Sequence, residues 1–194
     1  MSTSQEQKSS LTKQIAVTAI LLAICIVSQF LKNLSVYITG PIINLCLILA
    51  VMLAGRMWAI ILAVITPLTA YLIAASPVMT AVPGIIPLIM LGNIVLVLLA
   101  AFFFKPAISD RRPLFSPRSI VAAIICCVGK ALVMGLTISL WLLPTFIPAE
   151  SPLRGKMSVF QMTFSVTQLI TAAIGFVYFF IIWKPLKKAL SSDN

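Results

Sequence analysis

The chain has 194 residues, of which 61% are hydrophobic and 9% are charged, and its formal net charge is +10. A soluble domain carries about 25% charged residues, so the composition excludes a soluble protein and predicts an all-α integral membrane protein. The basic residues lie in short segments beside apolar runs. That placement is the orientation signal of membrane proteins and argues against a nucleic-acid-binding domain.

The chain begins with a polar segment, 1–11, which we predict to be a cytoplasmic tail and not a cleaved signal peptide, because no small-residue cleavage site follows the first apolar run. A membrane-spanning helix needs about 20 apolar residues. The nearly continuous run 41–75 is split at Gly55-Arg56. The second predicted span is short, at about 21 Å of helix, which leaves open whether it crosses fully. The predicted spans are 14–31, 41–54, 57–75, 85–104, 119–143 and 160–183, within one membrane domain at 12–184 that is followed by a cytoplasmic tail at 185–194.

Charge counting predicts the direction of the spans. With six spans and a cytoplasmic N-terminus, ten Lys and Arg residues lie inside and three lie outside. If the segment 41–75 crossed only once, four would lie inside and eight outside. Because cytoplasmic loops carry an excess of Lys and Arg, the count favours six spans with both termini in the cytoplasm.

Lys130 lies in the middle of the apolar run 120–143. A charge at mid-membrane depth costs roughly 2.5–3.5 kcal/mol on insertion scales, so such a residue usually faces a partner, a cavity or a ligand. No acidic residue lies inside any predicted span. This pattern favours a cavity that binds an anionic or carbonyl-rich ligand, although pairing of Lys130 with backbone carbonyls remains an alternative.

The uncharged amides of spans two, four and six all lie in the predicted outer half of the membrane, with Asn93 about 12 Å below the outer surface. This predicts an outward-facing polar cavity, where aromatic side chains at the same level could stack on a ring. The alternative is that Asn and Gln join neighbouring helices, which is common in membranes. The predicted substrate-binding residues are Lys130, Asn93, Gln168, Asn44, Gln161, Tyr37, Tyr71 and Trp141.

Other chemistry is not expected. The chain has no phosphate-binding loop, no catalytic motif and no histidine. Its four cysteines lie within apolar runs, and we predict that they pack as small hydrophobic residues in the core. We therefore predict neither an enzyme nor a metal site nor a cofactor. The lack of carboxylates within the spans also argues against a proton- or sodium-coupled pump. The cysteines are Cys25, Cys46, Cys126 and Cys127.

The first span carries a stripe of small residues at Thr12, Ala16, Ala19 and Ala23. Such stripes let another helix approach closely, so the stripe predicts docking of a partner. Packing against the chain's own helices is the alternative.

Several of these features together resemble a known family. A chain of this size with six spans, an Ala19–Ala23 pair in span one and no ATPase motif resembles the S components of energy-coupling-factor (ECF) vitamin transporters. The stretches 40–44 (GPIIN) and 83–93 (PGIIPLIMLGN) resemble segments of bacterial S components. The resemblance covers most of residues 12–184.

The resemblance implies a protein of the bacterial plasma membrane that binds one micronutrient in a pocket near the outer face, built from spans four to six and the outward loops. Span one then docks on a transmembrane coupling subunit driven by two ATPases, and the S component topples to release its cargo. Ala19 and Ala23 would be the docking stripe. Asn93, Lys130 and Gln168 would lie on the pocket-forming spans.

The identity of the ligand is the least determined part of the prediction. Lys130 favours a carboxylate, a phosphate or a carbonyl-bearing compound. Pyridoxine-like, pantothenate, niacin and corrinoid ligands all remain open, and the resemblance, not the chemistry, favours cobalamin. Two other classes also remain, namely a stand-alone small-molecule facilitator and a ligand-free membrane assembly factor.

Overall fold

The computed structural model describes residues 2–31, 35–108 and 113–192. Six helical segments in these ranges are long and apolar enough to cross a membrane, which confirms the predicted all-α fold with six spans. Three of the basic residues counted for the orientation of the spans, Lys32, Arg111 and Arg112, lie outside the described residues. The six segments are Ser10–Phe30, Val36–Leu53, Arg56–Ala74, Ile85–Ala107, Pro117–Phe146 and Pro152–Leu190.

Ten α-helices build these spans and the segments between them. Two π-helical stretches, Ala100–Phe104 and Gly135–Leu142, continue α5 and α7, and a 3-10 helix, Pro152–Lys156, precedes α9. The helices are α1 (Ser2–Phe30), α2 (Val36–Leu53), α3 (Arg56–Ala74), α4 (Pro77–Ala81), α5 (Ile85–Leu99), α6 (Lys105–Ala107), α7 (Pro117–Met134), α8 (Leu143–Phe146), α9 (Met157–Phe164) and α10 (Val166–Ser192).

Two helices begin earlier than the sequence suggested. The polar segment 1–11 is already helical from Ser2. The second span begins at Val36 instead of Pro41, because Ser35 caps the helix by accepting a hydrogen bond from the Tyr37 backbone at 3.1 Å. Its 18 residues give about 27 Å of helix, close to the hydrocarbon thickness of a bilayer. Pro41 lies inside this helix, as membrane helices tolerate.

The break between spans two and three lies where the sequence placed it. Gly55 has a φ of 93°, a conformation that favours glycine because it has no Cβ. The chain therefore reverses between α2 and α3 within the two residues Ala54 and Gly55.

Helix packing places α2 near the centre of the bundle. It packs against α1, α3 and α10, while α5 packs against both α3 and α7. The approach of α10 to α2 is close at Gly175, where a Cβ atom would lie 2.8 Å from Asn44 Cβ and 3.1 Å from the Pro41 carbonyl oxygen. Glycine at this position lets the two backbones meet, as small residues do in membrane bundles.

The two ends of the bundle differ. At one end, which we call the aromatic end, Phe104 contacts Phe176 and Phe179 edge-on at centroid distances of 4.8 and 5.2 Å. Trp183 stacks on Phe179 at 5.0 Å. The opposite end, which we call the cavity end, carries the first turns of α2 and α5, the last turns of α3, and α9.

Candidate functional site

Lys130 forms the centre of a buried polar cluster. Its Nζ donates hydrogen bonds to Asn44 Oδ1 at 2.6 Å and to Asn93 Oδ1 at 2.8 Å. Only 3% of the Lys130 side chain is exposed, and both asparagines are buried as well. The three residues come from α7, α2 and α5, so the cluster ties three spans together.

The rest of the bundle holds the asparagines in place. Asn44 faces α10 at the close approach of Gly175, and its Nδ2 makes a long contact of 3.5 Å to Thr171 Oγ1. Asn93 follows Gly92, where a Cβ atom would lie 2.4 Å from Met134 Cγ, so α5 and α7 also approach closely. Both amide oxygens are thus aimed at the ammonium group by backbone packing.

A cavity of about 240 Å³ lies beside this cluster. Lys130, Asn44, Asn93 and Gln168 line it, so four of the predicted binding residues share one hollow. The resemblance implied a pocket from spans four to six, but α2 and α3 contribute to the walls as well. Its remaining lining residues are Val36, Thr39, Gly40, Ile43, Thr66, Pro67, Ala70, Ser76, Met79, Ile89, Thr163 and Phe164.

The charge of the cavity comes from Lys130. The four acidic residues of the sequence, Glu6, Asp110, Glu150 and Asp193, all lie outside the six membrane spans. A cation among amide oxygens and apolar walls can attract an anion strongly, because the low-dielectric surroundings screen charge less than water does. Among the described residues, no group of three His, Cys, Asp or Glu side chains is placed to hold a metal ion.

Gln168 lies where the sixth span is interrupted. The helix breaks at Ser165, between α9 and α10. Gln168 Nε2 donates to the Thr163 carbonyl at 3.1 Å, and Ser165 Oγ donates to the Gln161 carbonyl at 2.6 Å, so side chains satisfy carbonyls freed by the break. Gln168 therefore shapes the cavity wall and does not touch Lys130 through a hydrogen bond.

Gln161 is placed elsewhere. Its Nε2 donates to the Ser139 carbonyl at 3.0 Å, and Ser139 Oγ donates back to the Gln161 carbonyl at 2.8 Å. This reciprocal pair joins α9 to the π-helical stretch of span five. The geometry matches the alternative reading in which an amide connects two helices.

The three predicted aromatic residues do not line the cavity. Tyr37 and Trp141 are about half exposed, at 49% and 57%. Tyr71 packs against a second apolar cluster that includes Val78 and Ile138. Residue counting placed these rings at the depth of the predicted cavity, but in the structure their helices turn them away from it.

Sequence reasoning missed the threonines of the cavity. Thr39 and Thr66 are buried and line it, and Thr163 lines it as well. Thr39 Oγ1 donates to the Ser28 carbonyl of α1 at 3.0 Å. A signal was available, since each of these residues is a polar position inside an apolar helix. Threonine is common in membrane helices, which is why the signal is weak.

The small-residue stripe of α1 lies on the outside of the bundle. Ala16, Ala19 and Ala23 are exposed. The opposite face of α1, with Leu21 and Cys25, is buried against α2 and α3.

The fold and the site define a class, namely a multi-pass helical membrane protein with a small cationic cavity near one end of its bundle. The chain belongs to the family of ECF transporter substrate-specific components, because the family model of that description matches residues 13–186. The predicted resemblance is thereby confirmed. Neither the curated proteins nor the solved structures include a significant match.

Family membership sets the general role. Components of this family are substrate-binding membrane subunits and not enzymes themselves. They take up vitamins and other micronutrients together with a coupling and ATPase module. The chain is therefore the substrate-specific subunit of such a transporter.

Proposed function

We propose that this subunit captures a small, singly charged carboxylate in the cavity at Lys130. The observation that supports this most strongly is the buried ammonium group held by Asn44 and Asn93. An ammonium group has three donors, and the two asparagines take two of them. The third donor is left for a ligand in the adjoining cavity.

The charge of the site favours a carboxylate over the other ligands that the sequence left open. One lysine balances one negative charge. A phosphate dianion would bring a second charge into apolar surroundings, where an unbalanced charge is costly. A pyridoxine-like ligand has no carboxylate to pair with the lysine, and its ring nitrogen adds a second cation to the site.

The size of the site argues against a corrinoid. Pockets for drug-sized ligands have volumes of about 300–1,000 Å³, and the cavity at Lys130 has about 240 Å³. A cobalamin molecule is far too large to be enclosed in this volume. Pantothenate and niacin, which are both small carboxylates, fit the charge and the size better.

The orientation of the bundle follows from its charged ends. Arg56, Lys105, Arg118 and Lys184 lie at the aromatic end, while Arg154 and Lys156 lie at the cavity end. By the positive-inside rule the aromatic end and both termini face the cytoplasm, so the cavity receives its ligand from outside the bacterial plasma membrane.

Docking on the coupling subunit uses the exposed stripe of α1. Its three alanines, Ala16, Ala19 and Ala23, present a face that another helix can approach closely, and the buried face of α1 is already used within the bundle. The coupling subunit carries the two ATPases.

The test separates ligand capture from docking. We expect mass spectrometry of the purified protein to reveal a co-purified small carboxylate, and pull-down from native membranes to recover the coupling subunit and ATPases. The Ala19→Trp variant should keep the carboxylate and lose the partners. The matched Ala173→Trp variant, at an exposed alanine of α10, should keep both.

Two outcomes would contradict the proposal. A released ligand without an anionic group would exclude the role of Lys130. Equal recovery of the coupling subunit with Ala19→Trp and with Ala173→Trp would exclude the α1 stripe as the docking face.

A further inference from the structure

Thr66 is a polar group of the cavity whose hydroxyl is not used by the protein. It lies in α3, its side chain is 1% exposed, and it lines the same cavity as Lys130. Its Oγ1 has no hydrogen-bond partner within residues 2–31, 35–108 and 113–192. A buried hydroxyl without a partner is unfavourable, because it has given up its hydrogen bonds to water.

Other threonines at the cavity differ from Thr66 in this respect. Thr39 Oγ1 donates to the Ser28 carbonyl at 3.0 Å, and Thr163 Oγ1 donates to the Val159 carbonyl at 2.7 Å. Both hydroxyls are thus held by backbone carbonyls. The Thr66 hydroxyl makes no such contact, so its hydrogen-bonding capacity is left unused at the cavity wall.

The backbone at Thr66 is firmly held, and because a β-branched side chain has few χ1 rotamers, the hydroxyl has few positions open to it. The Thr66 carbonyl accepts hydrogen bonds from Gln29 Nε2 and from Thr69 Oγ1, each at 3.0 Å. Gln29 is completely buried between α1 and α3, and Pro67 restricts the backbone next to Thr66. A preorganised hydroxyl loses little conformational freedom when a ligand binds.

We propose that the Thr66 hydroxyl is a second polar contact for the ligand, so that the protein selects a carboxylate with a hydroxyl or amide group away from its acid end. This inference rests on the proposed function. Because α5 packs against both α3 and α7, the two polar contacts come from different walls of the cavity. The apolar side chains of Ile43, Pro67 and Ile89 also line it and suit a ligand with an apolar body.

The experiment uses two carboxylates as probes. Pantothenate carries an amide and two hydroxyl groups, whereas benzoate carries no polar group besides its carboxylate. We expect the purified wild-type protein in detergent to bind pantothenate more tightly in equilibrium titrations. Thr66→Val, which replaces the hydroxyl with a methyl group, should weaken pantothenate binding about 5- to 10-fold. It should leave the affinity for benzoate unchanged.

Two control variants sharpen the result. Thr66→Ser keeps a hydroxyl and should restore most of the affinity for pantothenate. Thr18→Val removes a buried hydroxyl of α1 that bonds to the Gln14 carbonyl and does not line the cavity, so it should not change binding. If Thr66→Val does not fold, a pantothenate analogue without its hydroxyl and amide groups should lose the same factor against the wild-type protein.

The outcomes separate this inference from the function on which it rests. Equal pantothenate binding by Thr66→Val and the wild-type protein would overturn the second contact and leave carboxylate capture intact. So would a wild-type protein that binds benzoate as tightly as pantothenate. A wild-type protein that binds neither probe would contradict carboxylate capture itself.

Discussion

The two ends of the helix bundle are built from different side chains. At the aromatic end, Phe104, Phe176 and Phe179 are buried against one another and fill the space between α5 and α10. At the cavity end, glycines bring the backbones together while Asn44 and Asn93 turn their amides toward Lys130. One end is therefore closed by rings, and the other is open enough to hold a ligand.

This difference bears on the alternative of a stand-alone facilitator. A facilitator needs a polar path through both halves of the membrane. The polar cavity ends in the half that holds Lys130, and bulky rings fill the core of the other half. A subunit that binds a ligand at one face and depends on partners for release fits this arrangement better.

The largest expected effect is on stability, when a buried ring is removed from the aromatic end. Phe104→Ala should destabilise the protein by about 3–5 kcal/mol, because it removes a fully buried ring and leaves a hole among Phe176 and Phe179. Thermal unfolding in detergent measures the change. Phe103→Ala, at a ring that is 50% exposed, is the control and should cost far less. Similar losses for both variants would show that the aromatic end is not a packed core.

The second-largest expected effect is on carboxylate binding at the cavity end. Lys130→Met should weaken carboxylate binding about 100-fold, since it removes the charged donor from a buried site. Stability should also fall, by about 1–3 kcal/mol, because the buried Oδ1 atoms of Asn44 and Asn93 lose the donor that they share. Equilibrium binding and thermal unfolding together test both statements.

A matched control is Lys184→Met at the aromatic end, which should leave carboxylate binding unchanged. If Lys130→Met bound the carboxylate normally, the lysine would serve only to join helices and the proposed contact between Lys130 and the ligand would be wrong.

The smallest expected effect lies at the glycine that joins the two regions. Gly175→Ala would place a Cβ atom 2.8 Å from Asn44 Cβ and close to the α2 backbone, so α10 must shift. Overpacking of this kind costs about 1–3 kcal/mol, and we expect weaker ligand binding because Asn44 moves. Gly155→Ala is the control, since no atom lies within 4 Å of its added Cβ. Equal unfolding temperatures for the two variants would contradict the close approach.

The sequence by itself determined the number of spans and the need for a polar site. Apolar length gives the spans, Gly55 gives the reversal between α2 and α3, and Lys130 requires partners because a buried charge cannot remain alone. Residue counting also places Asn93 about 12 Å below the outer surface and Lys130 near the middle of its span. It places Asn44 only one turn deep, because the predicted span begins at Pro41 whereas the helix begins at Val36. These features are local in sequence, so no knowledge of packing was needed.

Tertiary structure decided which of these side chains meet. Asn44 and Asn93 lie 86 and 37 positions from Lys130 in the sequence, and they reach it because close packing rotates α2 and α5 toward α7. The packing of α9 likewise turns Gln161 to Ser139, and the packing of α3 brings Thr66 to the cavity wall. Residue counting gives the depth of a side chain in a membrane helix, but its direction around the helix axis is set by packing against the neighbouring helices.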